Sequence, residues 1–125
     1  MAKTLQAEQF LTIHAQGMDW QADSDVLTLP KGVEIKMLRN APEEGRRDLL
    51  IRLPPGYHEP EHTHDSSHAV VCLEGKQIVG GEVMLPGEYV YGPANIPHGP
   101  FDYPEGCVVF ASFYGQSAQH RWLPE

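Results

Sequence analysis

The sequence contains only two cysteines, Cys72 and Cys107, which are too few and too far apart for a disulfide framework or a Cys-x-x-Cys site. Both stand in apolar runs, so we expect buried free thiols in a protein of the reducing cytoplasm. No apolar run reaches the length of a membrane span, and the first eight residues, which include Glu8, have no apolar core. We therefore expect neither a membrane anchor nor a secretory signal.

Positive charge is also scarce, because nine Lys and Arg residues stand against 17 Asp and Glu residues, for a formal net charge of −8. A basic face that binds nucleic acid or an anionic membrane surface is therefore not expected. The length of 125 residues predicts one domain covering 1–125. What the chain does have is 12 glycines and 11 prolines, a composition typical of short strands joined by tight turns.

Apolar residues alternate with polar ones in a pattern that predicts strands and almost no helix. In one such segment Val33, Ile35 and Met37 form one predicted face, and Arg39 shares their parity near one end. Further strands are predicted at 48–53, 69–73, 76–79, 82–85, 88–91 and 107–114. Gly80-Gly81 predicts a hairpin turn between two of them. Many short strands at regular spacing indicate an all-β sandwich or barrel.

The two ends of the chain are less clear from the sequence. Residues 1–17 are compatible with a short helix or an edge strand, whose apolar side chains are expected to cover the core: Leu5, Phe10, Leu11 and Ile13. Trp20 is expected to cover an end of the core, and Trp122 to pack back from a polar tail. Six aromatic residues are expected mostly in the core: Tyr89, Tyr91, Phe101, Tyr103, Phe110 and Tyr114.

Four histidines are candidate metal ligands. His62 and His64 are two apart on a predicted strand, so their side chains point the same way, with Cβ atoms roughly 6–7 Å apart. Asp65-Ser66-Ser67 predicts a turn that brings His68 alongside them. His98 ends a later loop. Imidazoles brought together in this way predict a metal site.

The segment from Gly56 to Gly75 resembles the first cupin motif, in which a glycine is followed by His-x-His, an acid and a second glycine. Here the paired histidines follow Gly56 after five residues, and His68 stands where the acid is usually found. The second cupin motif is matched by Gly87 and by the segment Pro93-x-Asn95-x-x-His98. Two motifs in the right order form a specific signal.

The resemblance covers about residues 33–114 and implies a double-stranded β-helix, or jelly-roll barrel, with the N-terminal segment and C-terminal tail packing on it. His62, His64 and His98 match the family's three metal histidines, which lie inside the barrel. His68 is then either a fourth ligand or a hydrogen-bonded neighbour. The small cupins that the chain resembles include diketone-cleaving dioxygenases and the cupin half of zinc-binding anti-sigma factors.

An all-imidazole ligand set suits Fe, Ni, Zn or Cu, and its neutrality favours anionic oxygen donors on the ion. With the resemblance, this favours one divalent ion, iron first and Zn, Ni or Mn as alternatives. The function it favours is a dioxygenase acting on a small enolisable carbonyl or carboxylate compound. A non-catalytic zinc-binding sensor or structural cupin stays open, as does a metal-dependent isomerase or lyase, for which the sequence offers no clear acid or base.

Two further expectations concern single residues and assembly. Arg39 is a weak candidate for pairing with an anionic substrate, the alternative being a solvated residue at a strand end. Cys72 shares the parity of His68, so it is expected to face the interior as a packing residue rather than a nucleophile. We also expect a homodimer, because dimers are the commonest closed assembly and small cupins often pair through an edge strand.

Overall fold

A computed structural model describes residues 10–25, 27–115 and 117–123. These residues form strands joined by short connections, with single turns of 3-10 helix at Ala15–Gly17 and Pro42–Glu44. The strands are β1 (Glu34–Ala41), β2 (Arg46–Leu53), β3 (Tyr57–Glu59), β4 (His62–His64), β5 (Ser67–Gly75), β6 (Gln77–Val79), β7 (Glu82–Met84), β8 (Tyr89–Gly92), β9 (Phe101–Tyr103), β10 (Cys107–Tyr114) and β11 (His120–Trp122). The predicted all-β class is confirmed. Within this part of the chain, no helix has the length and hydrophobicity that crossing a bilayer requires.

The core lies between two antiparallel sheets. One has five strands in the order β1-β2-β10-β5-β8, and the other has four in the order β3-β9-β6-β7. A two-stranded ribbon of β4 and β11 completes the arrangement. Alternate residues of β10 point inward, and Ala111 faces Leu49 on β2 in a fully buried pair. Burying one such leucine contributes about 1.5–3 kcal/mol, so the apolar parity of these strands stabilises the sandwich.

Strand β1 follows its predicted pattern only over its first half. Val33 and Ile35 are buried, but the register with β2 shifts between Met37 and Arg39, as at a β-bulge. One extra residue in a strand reverses the faces that follow it. The guanidinium of Arg39 accordingly bonds the carboxylate of Glu44 at 2.5 Å, near the surface. Arg39 therefore does not share the inward face of Val33 and Ile35, contrary to the prediction from the alternation.

The N-terminal segment does not cover the core where the structure describes it. Phe10 is 95% exposed, and Leu11 and Ile13 are exposed as well, while Leu5 lies outside the described residues. Trp20 packs between two cations rather than over the core, with Lys36 Nζ 4.7 Å and Arg52 Cζ 4.4 Å from its ring centroid. Each such contact contributes about 0.5–1 kcal/mol at an exposed site.

Strand β8 is an edge strand with an exposed outer face. Tyr89 and Tyr91 are 57% and 56% exposed, so the expectation that they belong to the core is wrong. Val90 between them packs against the core instead. Tyrosine occurs on half-buried sheet surfaces as readily as in cores, so aromatic content alone does not fix the inward face. The homodimer stays a prediction, and an exposed edge strand of this kind is compatible with it.

Candidate metal centre

His62 and His64 stand on the same face of β4, and both side chains are buried. Their Nε2 atoms lie 3.2 Å apart. Nδ1 of His62 donates to the carbonyl of Pro60 at 2.8 Å, and Nδ1 of His64 donates to the carbonyl of Ala118 at 3.1 Å. A carbonyl only accepts, so each Nδ1 carries a proton, and in the neutral ring each Nε2 then presents a lone pair.

His98 is tied to the same strand through its backbone. Its N–H donates to the carbonyl of His62 at 2.9 Å, and the N–H of His62 donates back at 3.1 Å. The loop before it turns at Asn95, which has φ 61° and donates its N–H to the carbonyl of His64 at 2.9 Å. Asparagine tolerates this left-handed conformation better than most residues, which explains its place in the second motif. Nδ1 of His98 donates to the carbonyl of Ile96 at 3.0 Å.

These three histidines fit a divalent metal ion. One ring nitrogen of each lies within 4.8 Å of the others. Two lone pairs facing each other at 3.2 Å repel unless a cation lies between them. Metal-binding histidines characteristically donate their second ring N–H to a carbonyl or carboxylate, as all three do here. His62, His64 and His98 can therefore hold a metal ion.

His68 borders the same cluster from the start of β5. Its ring centroid lies 4.6 Å from that of His64 and 4.8 Å from that of His98, and its ring stacks on Phe113 at 5.2 Å. The predicted turn at Asp65-Ser66 brings it there. Its role as a fourth ligand belongs to the proposal below.

Gly92 fixes the position of His68, because the two residues face each other across β8 and β5. A Cβ atom at Gly92 would lie 2.5 Å from Cε1 of the imidazole. We expect Gly92→Ala to push this ring aside and to destabilise the fold by about 1–3 kcal/mol, as overpacking does. Thermal unfolding and the visible spectrum of the Co(II)-loaded protein measure the two effects. An unchanged midpoint with an unchanged spectrum would show that the contact has no such role.

The histidines border a cavity of about 60 Å³ between the two sheets. By volume this is room for roughly four to six waters, which limits a bound molecule to a small one. Its wall is mostly apolar, with Phe101, Val109 and Phe113 among the contributors. Among the described residues, no Lys or Arg lines it. An anion in the cavity would therefore meet no cationic side chain among these residues.

Two polar residues beside the histidines, Glu59 and Gln77, were missed by sequence reasoning, and Tyr103 was expected only as one of the core aromatic residues. Oε1 of Glu59 lies 3.9 Å from Nε2 of His62, and Nε2 of Gln77 donates to the Tyr103 hydroxyl at 3.0 Å. Burial, and then the negative charge of Glu59, raise the pKa of Tyr103 well above its usual 10, which the hydrogen bond from Gln77 only partly offsets. Tyr103 is therefore a neutral phenol across the physiological pH range.

The weaker candidates lie elsewhere. Arg39 is absent from the lining of the cavity, and its hydrogen bond with Glu44 raises the pKa of its guanidinium. His58 is exposed and bonds Asp102 at 2.7 Å. The two cysteines are buried free thiols, as predicted, with sulfur atoms 3.7 Å apart. Burial raises the pKa of Cys107 to about 12, so it is not poised as a nucleophile.

Comparison with known proteins agrees with this geometry. The family model of the ChrR cupin-like domain matches residues 8–118. No protein with a curated functional description matches the sequence. Solved structures do match, and their labels include cupin and RmlC-like. The jelly-roll fold expected from the two motifs is thereby confirmed.

Three of these structures illustrate the range of functions on this fold. A candidate acetylacetone dioxygenase from Methylibium petroleiphilum is 24% identical, with a TM-score of 0.69 over 86% of this chain and 78% of its own. The polyketide cyclase RemF from Streptomyces resistomycificus is 19% identical, with a TM-score of 0.72 over 94% and 87%. The anti-sigma factor ChrR from Rhodobacter sphaeroides, solved with SigE, is 18% identical, with a TM-score of 0.62 over 78% and 50%. At these identities the likeness shows the fold alone.

Proposed function

The chain belongs to the family of ChrR cupin-like domains, and from that premise we propose that it is a mononuclear non-haem Fe(II) dioxygenase. Its substrate would be a small enolisable carbonyl or carboxylate compound. His62, His64, His68 and His98 would hold the ion. The observation that carries the proposal is the convergence of the ring nitrogens beside a mostly apolar cavity, with Nδ1 of three of the rings fixed by a carbonyl.

A ferrous ion held by these four imidazoles would supply a redox-active Lewis acid that can bind exogenous ligands. The residues of the chain do the remaining work. The carbonyl partners of His62, His64 and His98 fix the proton on each Nδ1 and aim each Nε2 inward. Because imidazole ligands are neutral, the site would retain the full charge of the ion and favour an enolate. Phe101 and Phe113 in the wall limit the access of water, which strengthens that electrostatic preference.

The overall reaction needs no reductant beyond the substrate itself. For a 1,3-diketone, one carbon–carbon bond is cleaved, dioxygen is the oxidant, and each fragment receives one of its oxygen atoms. The products are a carboxylic acid and an α-keto aldehyde. Two of the structural neighbours carry the name acetylacetone dioxygenase, which supports this choice of substrate chemistry without deciding it.

The proposal predicts oxygen uptake that depends on both iron and an enolisable substrate. The protein is loaded anaerobically with one equivalent of Fe(II), and oxygen consumption is followed over a panel of 1,3-diketones, hydroxy-ketones and α-keto acids. We expect one mole of oxygen consumed per mole of substrate with at least one compound, and none with the zinc-loaded protein as control. Full iron occupancy without uptake for any compound in the panel would contradict the proposal.

A second candidate is a zinc-binding sensor or structural cupin without turnover. Four imidazoles can close a tetrahedral zinc site, and the matching family is named after an anti-sigma factor that was solved with its sigma factor. This candidate predicts one tightly bound zinc in freshly purified protein and no change of the Co(II) spectrum when diketones are added. Metal content of the freshly purified protein and the Co(II) spectrum therefore separate the two candidates.

A further inference from the structure

Gln77 presents a buried acceptor to the cavity. Its side chain is 3% exposed and lines the same chamber as the four histidines. Nε2 is used in the hydrogen bond to Tyr103, but Oε1 has no hydrogen-bond partner among the residues that the structure describes. Buried amide oxygens are nearly always bonded in folded proteins, so one that lines a cavity is a position where a ligand can donate.

Tyr103 presents the complementary donor. It is 2% exposed, and its oxygen already accepts the N–H of Gln77 at 3.0 Å. That bond leaves the phenol O–H to donate into the cavity. Burial and the charge of Glu59 raise the pKa of this phenol, so the proton stays in place. The two side chains together therefore offer one acceptor and one donor.

We propose that Gln77 and Tyr103 bind a hydroxyl group of the substrate, separate from the oxygen atoms that reach the metal. This inference rests on the proposed function and narrows its substrate class to hydroxylated carbonyl compounds. A hydroxyl donates to Oε1 of Gln77 while it accepts from the phenol. A carboxylate has no proton for Oε1 and would meet no Lys or Arg among the described lining residues, and an ammonium group cannot accept from Tyr103.

The position of the pair sets the length of the substrate. Phe101 lies beside the metal centre, with its ring centroid 5.7 Å from those of His62 and His98. Tyr103 is two residues further along β9 on the same face, about 6–7 Å away by strand geometry. The hydroxyl would therefore stand on a short carbon arm beyond the chelating oxygens.

The test measures binding rather than turnover. Zinc-loaded protein is titrated by calorimetry with pentane-2,4-dione, with homologues that extend one methyl group by one to three carbons, and with the same compounds bearing a terminal hydroxyl. We expect at least one hydroxylated ligand to bind ten- to a hundredfold more tightly than its alkyl homologue, since sites built for a hydroxyl reject the analogue that lacks it. Gln77→Leu and Tyr103→Phe should reduce this ratio to less than threefold.

Tyr57→Phe is the matched control, because it removes a phenol that is not among the described residues lining the cavity and keeps the ring that stacks on Tyr103 at 6.0 Å. It should keep the wild-type ratio. Equal affinities within every pair in the wild-type protein, no binding by any compound, or a ratio that survives Gln77→Leu would overturn the inference. Absence of oxygen uptake by the iron-loaded protein would instead remove the dioxygenase while leaving this ratio intact.

The thermal stability of Gln77 variants distinguishes a ligand-binding role from a purely structural one. Gln77→Leu removes a buried oxygen without a hydrogen-bond partner, but it also removes the donor to the Tyr103 hydroxyl; because the two effects on stability oppose each other, we expect only a small change in the thermal midpoint. Gln77→Met, of similar volume, gives the same measurement with a more adaptable side chain. A fall of several degrees in both variants, with equal loss of affinity for hydroxylated and alkyl ligands, would assign the residue to packing and overturn the inference.

Discussion

His62→Ala is expected to lower the affinity for divalent metal more than a hundredfold. Removing a residue that only orients a metal ligand typically lowers metal affinity 10- to 100-fold. His62 is itself a proposed ligand, so its removal should lower the affinity further. It is 1% exposed, its Nε2 lies 3.2 Å from that of His64, and its backbone is paired with that of His98 in both directions. Metal content of freshly purified protein, measured by elemental analysis, should fall from about one equivalent to near zero.

The fold of the His62→Ala variant should survive, because the facing lone pairs of His62 and His64 repel in the metal-free protein and the surrounding core is apolar. Added metal at a thousand times its dissociation constant stabilises a binding protein by about 4 kcal/mol, and this gain should vanish in the variant. His58→Ala is the matched control, since His58 is exposed and bonds Asp102 instead. Full metal occupancy in His62→Ala would contradict the assignment.

The part of the site that could be predicted is the part carried by regular strand geometry and short local turns. His62 and His64 share a face because side chains alternate along a strand, and a turn two residues later can only bring His68 back nearby. His98 was reached through the resemblance to the second motif. The structure brings the four rings together with centroids 4.4–5.2 Å apart for every pair that includes His64 or His98.

The polar part of the cavity wall, formed by Glu59, Gln77 and Tyr103, could not be predicted from local sequence pattern. Glu59 and Tyr103 stand on strands of three residues, β3 and β9, and prolines flank both. Such segments are typical of loops, and three residues are too few to show an alternation. Their parity is set by pairing with each other, in which Glu59 lies across from Phe101. The predicted face of Arg39 was wrong for a related reason, because the bulge before it leaves no signal in the sequence.

The second large effect is expected at Gly75, the residue that closes the first motif. It has φ +74°, and a Cβ atom there would lie 2.2 Å from the carbonyl oxygen of Gly106, a separation that no packed structure tolerates. Gly75→Ala must therefore separate the ends of β5 and β10, which pair at Gly75 and Cys107. We expect a loss of about 2–5 kcal/mol, from the left-handed backbone and the clash together, measured by denaturant unfolding.

Gly56→Ala separates the two causes, because Gly56 opens the same motif at φ +79°, but apart from its chain neighbours no described residue has an atom within 4 Å of its ideal Cβ position. This variant should lose only about 1–2 kcal/mol, the cost of the left-handed conformation alone. Since Gly75 lies at the opposite end of β5 from His68, the folded Gly75→Ala protein should still bind one equivalent of metal. Equal losses of stability in the two variants would show that the close approach to Gly106 relaxes freely. Loss of metal from folded Gly75→Ala would show that the two ends of β5 are coupled, and that the motif glycine acts on the metal centre as well as on the fold.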